Sequence, residues 1–310
     1  MVAGGAALFG TLSYIARQAA AVGLGAMPFV AWRGIVATIA LVAVSLVLGT
    51  RAGGASAYPD IRVLPPDRRR ALIVAGLAGA LLNVAMFAAF LRMEIAVALI
   101  CFYTYPAIVT IAAVPLYGER LDRVRLGALA LACVGLVFVV LGPLVGATTV
   151  MVDPIGVGLA LFAALGQATF ILISGRGWRP MPNLHVSTYV VGTVIVVSVP
   201  LAVIDGQMAG LALPLHDPST WAWILAGGIT GAAIPTTMFI TGIGLIGPSR
   251  AAILMTIEPV VGVTLAALLL GEQPSVLQLV GGAAVLLAAG VLQVAPRAPV
   301  IAEPELGPLV

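Results

Sequence analysis

The sequence predicts an all-α polytopic membrane protein: ten transmembrane helices arranged as two inverted five-helix repeats. Three observations predict it. The chain is 61% hydrophobic and only 9% charged, with a mean hydropathy of +1.16, whereas soluble domains carry about 25% charged residues. Its two halves match at a near-constant offset. Its arginines fall almost wholly on one side of the expected spans.

The second half contains an apolar run from Ala251 to Leu270, interrupted by one carboxylate, Glu258, directly before Pro259. At about 1.5 Å per residue such a run matches a hydrocarbon core of about 30 Å. Ala98–Arg120 echoes it, with Pro106 aligned to Pro259 and Gly118-Glu119 to Gly271-Glu272 at an offset of 153. Gly76, Gly79, Met86 and Phe87 pair with Gly228, Gly231, Met238 and Phe239 at 152, and Met27-Pro28 with Met181-Pro182 at 154. Gly5, Ala7, Leu8, Phe9 and Leu12 pair with Gly158, Ala160, Leu161, Phe162 and Leu165 at 153. An offset that persists over five segments marks two copies of one unit.

In chain order the expected spans are 2–20, 26–49, 70–92, 95–117, 124–144, 154–175, 185–205, 220–245, 249–270 and 276–295. They group into a first repeat over 1–146, with a polar loop at 51–70, and a second over 153–295. A Pro-rich tail at 296–310 is expected to be disordered and cytoplasmic. Span one lacks the basic lead of a signal peptide and begins almost at Met1, as a slightly shortened N-terminus would. Spans five and ten are nearly free of polar side chains. Their small-residue stretches, GALALACVG and GGAAVLLAAG, are expected to pack against other helices.

With the N-terminus inside, the cytoplasmic loops hold arginines 51, 62, 68, 69, 70, 120, 123, 125, 176, 179 and 250, with Arg297 in the tail, and only Arg92 lies opposite. Twelve against one fixes the expected orientation, both termini cytoplasmic. Five spans per copy is odd, so the second copy must be inverted. Composition and motifs also exclude classes. The arginines form no basic face for nucleic acid. Cys101 and Cys133 sit in apolar runs as small hydrophobes, and His185 and His216 at loop edges have no second ligand at useful spacing. No metal site, cofactor or catalytic set is expected.

Polar groups in lipid must find partners, so the intramembrane set should face inward. It comprises Thr11, Ser13 and Tyr14; Arg33; Asn83; Tyr103, Thr104, Tyr105 and Thr110; Gln167 and Thr169; Thr236, Thr237 and Thr241; and Thr256 and Glu258. Pro106 and Pro259 should break or loosen their helices.

The repeated proline–Gly-Glu pattern, the Glu258-Pro259 pair, the AWRG of span two and the ten-span duplication resemble the EamA-type transporters of the drug/metabolite transporter superfamily. The resemblance covers nearly the whole chain outside loop 51–70 and the tail. The copies depart from one another at Gln273, which stands where the first has Arg120, and by one residue in the interval from the Gly-Glu pair to the next helix. The resemblance implies ten helices with both termini cytoplasmic; a bacterial cytoplasmic membrane and a monomer or homodimer are expected. The resemblance also implies secondary active export of a small metabolite, such as an amino acid or related compound.

Glu258 is the candidate for proton coupling, because ionisable groups buried in a membrane default to function. The alternatives are that it ties off backbone donors freed at Pro259 or pairs with Arg33. Its aligned mate is Tyr105, so symmetry does not demand an acid there. Arg33 either holds a substrate carboxylate in bidentate fashion or is a structural counter-ion. Tyr14, Asn83, Tyr103, Tyr105, Gln167, Thr236, Thr237 and Thr256 complete the expected substrate path, though each alone can be an interhelical hydrogen bond. Proton antiport is the expected coupling. Rival expectations are efflux of hydrophobic or cationic drugs on the same fold, a channel or uniporter, and a membrane-embedded enzyme.

Overall fold

The computed structural model describes residues 1–51, 60–119, 122–142, 152–271 and 273–294. Its helices are α1 (Val2–Ala21), α2 (Ala26–Arg51), α3 (Pro66–Phe90), α4 (Ile95–Phe102), α5 (Tyr105–Tyr117), α6 (Arg123–Leu141) and α7 (Pro154–Gly175). They continue as α8 (Asn183–Ile204), α9 (Met208–His216), α10 (Thr220–Gly228), α11 (Ile234–Ile246), α12 (Pro248–Leu254), α13 (Ile257–Leu270) and α14 (Val276–Val294). Nine spans among the described residues are long and apolar enough to cross a membrane, with α4–α5, α10–α11 and α12–α13 each forming one broken span. The tenth is α1, 20 residues long and made less apolar by Arg17 and Gln18. The tail at 296–310 lies outside the described residues.

The helix contacts carry the internal symmetry. Replacing each span by its mate in the other copy maps the most extensive contacts between spans onto one another. The α6–α14 and α2–α8 contacts map onto themselves. The α3–α7 contact becomes that of α1 with α10 and α11, α3–α8 becomes α2–α10, and α1–α13 becomes that of α7 with α4 and α5. This two-fold relation between copies of five spans is the inverted repeat. The α6–α14 crossing is the closest. A Cβ added at Gly281 would lie 2.4 Å from the Gly135 carbonyl oxygen, and one at Gly135 would lie 2.6 Å from that of Gly281.

Both prolines sit just past a helix break. A proline has no N–H and clashes with the carbonyl four residues back, so the helix parts at Tyr103-Thr104 and again at Met255-Thr256. At each break a threonine hydroxyl donates to a carbonyl of the preceding turn: Thr104 to Cys101 and Thr256 to Ile253, both at 2.7 Å. Gly118 and Gly271 then cap α5 and α13 in the left-handed region, at φ 62° and 69°. The glycine of each Gly-Glu pair is thus a helix C-cap. The hydroxyl bonds put Thr104 and Thr256 in a frame of 152, while the prolines and glycines stand at 153. The second copy therefore carries one extra residue between its threonine and its proline. Tyr105 and Ile257 each open their helix, and Glu258 is surplus rather than opposite Tyr105.

Other parts depart from the sequence expectations. Ile61 and Leu64 of the polar loop pack into the bundle: Leu64 is 1% exposed, and the Ile61 N–H donates to the Tyr189 hydroxyl. Arg125 and Arg250, expected in loops, are 4% and 6% exposed. Arg250 donates to the Leu292 carbonyl at 2.7 Å, and Arg125 lies 3.5 Å from Glu119. Breaking such a buried ion pair costs about 3–5 kcal/mol. Arg125→Met should lower the thermal midpoint in detergent sharply, and adding Glu119→Gln should recover most of the loss. On the opposite side, Arg92 pairs with Asp153 at 3.2 Å, and Asp153 also caps α7 through the Ile155 N–H. These two bonds, the Arg92 one foremost, hold the half-buried Asp153 carboxyl below its usual range.

Val2 packs against Gly242, and Arg250 reaches Leu292 near the end of α14, so the start of α1 and the end of α14 share one end of the bundle. That is the arginine-rich end. The opposite end carries α9, a helix where only a loop was expected. Trp32 and Trp221 donate their indole N–H groups to the Leu211 and Pro214 carbonyls and so tie α9 down.

A candidate substrate cavity at the repeat interface

A cavity of about 210 Å³ lies at mid-depth between the two copies. Five of the expected residues meet there: Arg33 of α2, Asn83 of α3, Gln167 of α7, Thr236 of α11 and Glu258 of α13. Local structure places each of them. Arg33 is presented where α2 and α10 approach so closely that a Cβ at Gly228 would lie 3.0 Å from the Arg33 carbonyl oxygen. Asn83 donates to the Gly79 carbonyl at 2.7 Å, which aims its own oxygen at Arg33, whose Nη2 donates to it at 3.3 Å. Glu258 stands in the first turn of α13. Gly10 of α1 brings the two helices together there, since a Cβ on it would lie 2.6 Å from the Glu258 carbonyl oxygen.

Thr236 sits beside a π-helical turn, residues 229–233, inside span eight. Pro235 accounts for that turn, because it cannot bond to the Gly231 carbonyl and its ring pushes against it. Gly231 and Ala232 of the widened turn, both buried, line the cavity. Span eight is thus interrupted, and Pro235 was the signal for it.

Among the described residues no direct ion pair joins Arg33 to Glu258. Two groups of opposite charge therefore face one space without closing it. The ionisable groups within electrostatic reach of Glu258 are Arg33, Tyr103 and Tyr105. Those two tyrosines do not line the cavity. They are 5% and 1% exposed and pack edge-on and tilted against Phe102 at centroid distances of 5.2 and 5.3 Å, and Phe102 is the ring that faces inward.

The remaining expected path residues also lie off the cavity. Tyr14 packs edge-on against Trp223 at 6.1 Å. Thr237 donates to the Ala233 carbonyl, and Thr256 serves its helix break. The apolar wall was not foreseen: Phe9, Phe102, Phe170, Phe239 and Met255 line the space. Spacing was the available signal, since Phe170 lies three residues after Gln167 and Phe239 three after Thr236, on the same helix faces.

A profile of the EamA-like transporter family matches residues 1–141 and 154–293. The chain belongs to the EamA-like transporter family. This family, within the drug/metabolite transporter superfamily, is one of transporters rather than enzymes. The EamA-like protein is therefore a multi-pass membrane transporter acting on a small-molecule substrate. It is 27% identical over 205 residues to an uncharacterized transporter of Archaeoglobus fulgidus, which spans 66% of this chain and 68% of the relative. A crystal structure at 20% identity superposes with a TM-score of 0.71 over 94% of each chain, a likeness of fold.

In this EamA-like transporter Asn83 is the side chain that orients Arg33. Asn83→Ala should raise the KM for an anionic or zwitterionic substrate about tenfold, the worth of one hydrogen bond to a charged group. Membrane abundance should be unchanged, and Asn83→Gln should recover part of the loss.

Proposed function

We propose that this protein exports a small metabolite, an amino acid or related compound, by proton antiport across a bacterial cytoplasmic membrane, with both termini cytoplasmic. One observation carries the reading: Arg33 and Glu258 face a single cavity between the repeats without pairing. Intramembrane charge is expensive and is retained where it serves a path. A carboxylate on the substrate suits the Arg33 guanidinium, and an amine suits Glu258. When the substrate leaves, a proton on Glu258 replaces the amine as its partner. The site then never holds an uncompensated carboxylate.

The arginine-rich end is cytoplasmic on this reading, following the positive-inside rule. The size of the cavity favours a metabolite over a drug, since drug-sized pockets run from roughly 300 to 1,000 Å³. A channel or uniporter would have no use for the titrating acid.

The test is small-molecule profiling of the medium from cells expressing wild type, Glu258→Gln or empty vector at matched membrane levels. A compound enriched by wild type and absent with the other two supports export that requires Glu258. Wild-type medium identical to the vector control counts against export and makes uptake the next measurement.

A further inference from the structure

A second cavity, of about 360 Å³, opens at the arginine-rich end between the copies. Its walls are the first turns of α3, with Asp67 and Arg68, the end of α5, with Leu116 and Tyr117, and the end of α7, with Arg176, followed by Trp178. We propose that it binds the phosphate group of an anionic membrane lipid.

Three features point there. The charge is built in and held in place. Arg68 Nη1 donates to the carbonyls of Arg176 and Gly177, at 3.1 and 3.0 Å, and this fixes its guanidinium at the cavity wall. Arg176 brings a second guanidinium, and the Tyr117 hydroxyl, which donates to the Leu172 carbonyl, sits beside it. The walls carry two cations against one acid, Asp67, and the nearby Glu119 is paired with Arg125, so the cavity keeps a net positive charge.

The wall also holds an unused donor. Trp178 is 2% exposed, and its indole N–H has no hydrogen-bond partner among the described residues. A buried N–H without an acceptor is costly, and such a group calls for a partner. A phosphate oxygen supplies one, and phosphate also matches the guanidinium geometry.

The third feature is position. Leu116 is 50% exposed on the outer face of α5, while Asp67 and Arg176 are exposed at the helix ends. The cavity therefore meets lipid on one side and water on the other, at the depth where headgroups lie. Basic pockets between spans on the cytoplasmic side suit such headgroups. A free phosphate offers the same oxygens without the acyl chains that Leu116, Leu172 and Ile173 would cover. The proposal is independent of what the central cavity carries.

The experiment uses the full chain, purified and placed in nanodiscs of phosphatidylcholine doped with phosphatidylglycerol, with retained lipid read by native mass spectrometry. Phosphatidylglycerol should be retained about tenfold over its bulk share, the worth of one charge-assisted contact. Arg176→Gln should abolish that preference, and Trp178→Phe, which keeps the ring and removes the N–H, should weaken it. Arg70→Gln, exposed outside the cavity, should leave it intact. A preference equal in wild type and both cavity variants, or no preference in wild type, overturns the site. A second arm measures the thermal midpoint in pure phosphatidylcholine with millimolar inorganic phosphate. A phosphate-dependent rise that Trp178→Phe removes, without any lipid preference, overturns the lipid assignment in favour of a soluble anion. If Arg176→Gln does not fold, Trp178→Phe decides the outcome.

Discussion

In proteoliposomes driven by a pH gradient and a membrane potential, Glu258→Gln is expected to collapse substrate accumulation from several hundredfold to near equality. The size follows from the driving force. One proton moving down about 100 mV gains about 2.3 kcal/mol, and one pH unit adds about 1.4 kcal/mol. At about 1.4 kcal/mol per tenfold, together they sustain a gradient of several hundredfold. Gln keeps the shape and hydrogen-bonding capacity of the side chain but cannot exchange a proton. Equilibrative exchange of labelled substrate should therefore survive in the variant while gradient-driven accumulation disappears. Accumulation at the wild-type level would make Glu258 a structural group and end the coupling proposal.

Gly281→Val is expected to be the most damaging single change to the scaffold. The added Cβ would meet the Gly135 carbonyl oxygen at 2.4 Å, the Phe138 Cβ at 2.7 Å and the Val139 nitrogen at 2.7 Å. Two of these are backbone atoms that cannot swing aside, so α6 and α14 must separate along their length. Overpacking commonly costs about 1–3 kcal/mol, and a backbone clash lies at or beyond the upper end. Little folded protein should elute as a single peak after extraction, and what does should melt at lower temperature. Gly290→Val on the same helix is the control: it is exposed, with nothing within 4 Å of its added Cβ, and should behave like wild type.

Much of this architecture was legible because membrane helices announce themselves. A run such as Ala251–Leu270 has few alternative fates, and a repeat offset survives whatever each copy does locally. The glycine-rich faces of spans five and ten do meet. Arg33, Asn83, Gln167, Thr236 and Glu258 stood out because polar atoms in lipid are costly. The same logic overreached for Thr237 and Thr256, whose hydroxyls are satisfied by carbonyls of their own helices. It missed the phenylalanine wall altogether. In an apolar helix a Phe that faces a cavity and one that faces lipid read alike, and only three-dimensional placement separates Phe170 from Phe162. Arg125 and Arg250 were misplaced for the opposite reason: an arginine next to a turn reads as solvated, although buried carbonyls or carboxylates can hold it.

The extra residue between Thr256 and Pro259 bears on how a duplicated chain acquires unequal halves. Inserted into an unbroken helix, one residue would turn everything beyond it by about 100° and spoil every later contact. The interruption ahead of Pro259 already suspends the helical register, so an additional residue is taken up locally. Gly271 still closes α13 as Gly118 closes α5. The joint is thus a place where sequence can lengthen without the bundle having to adjust. A charge entered one copy there while its twin kept a plain aromatic turn.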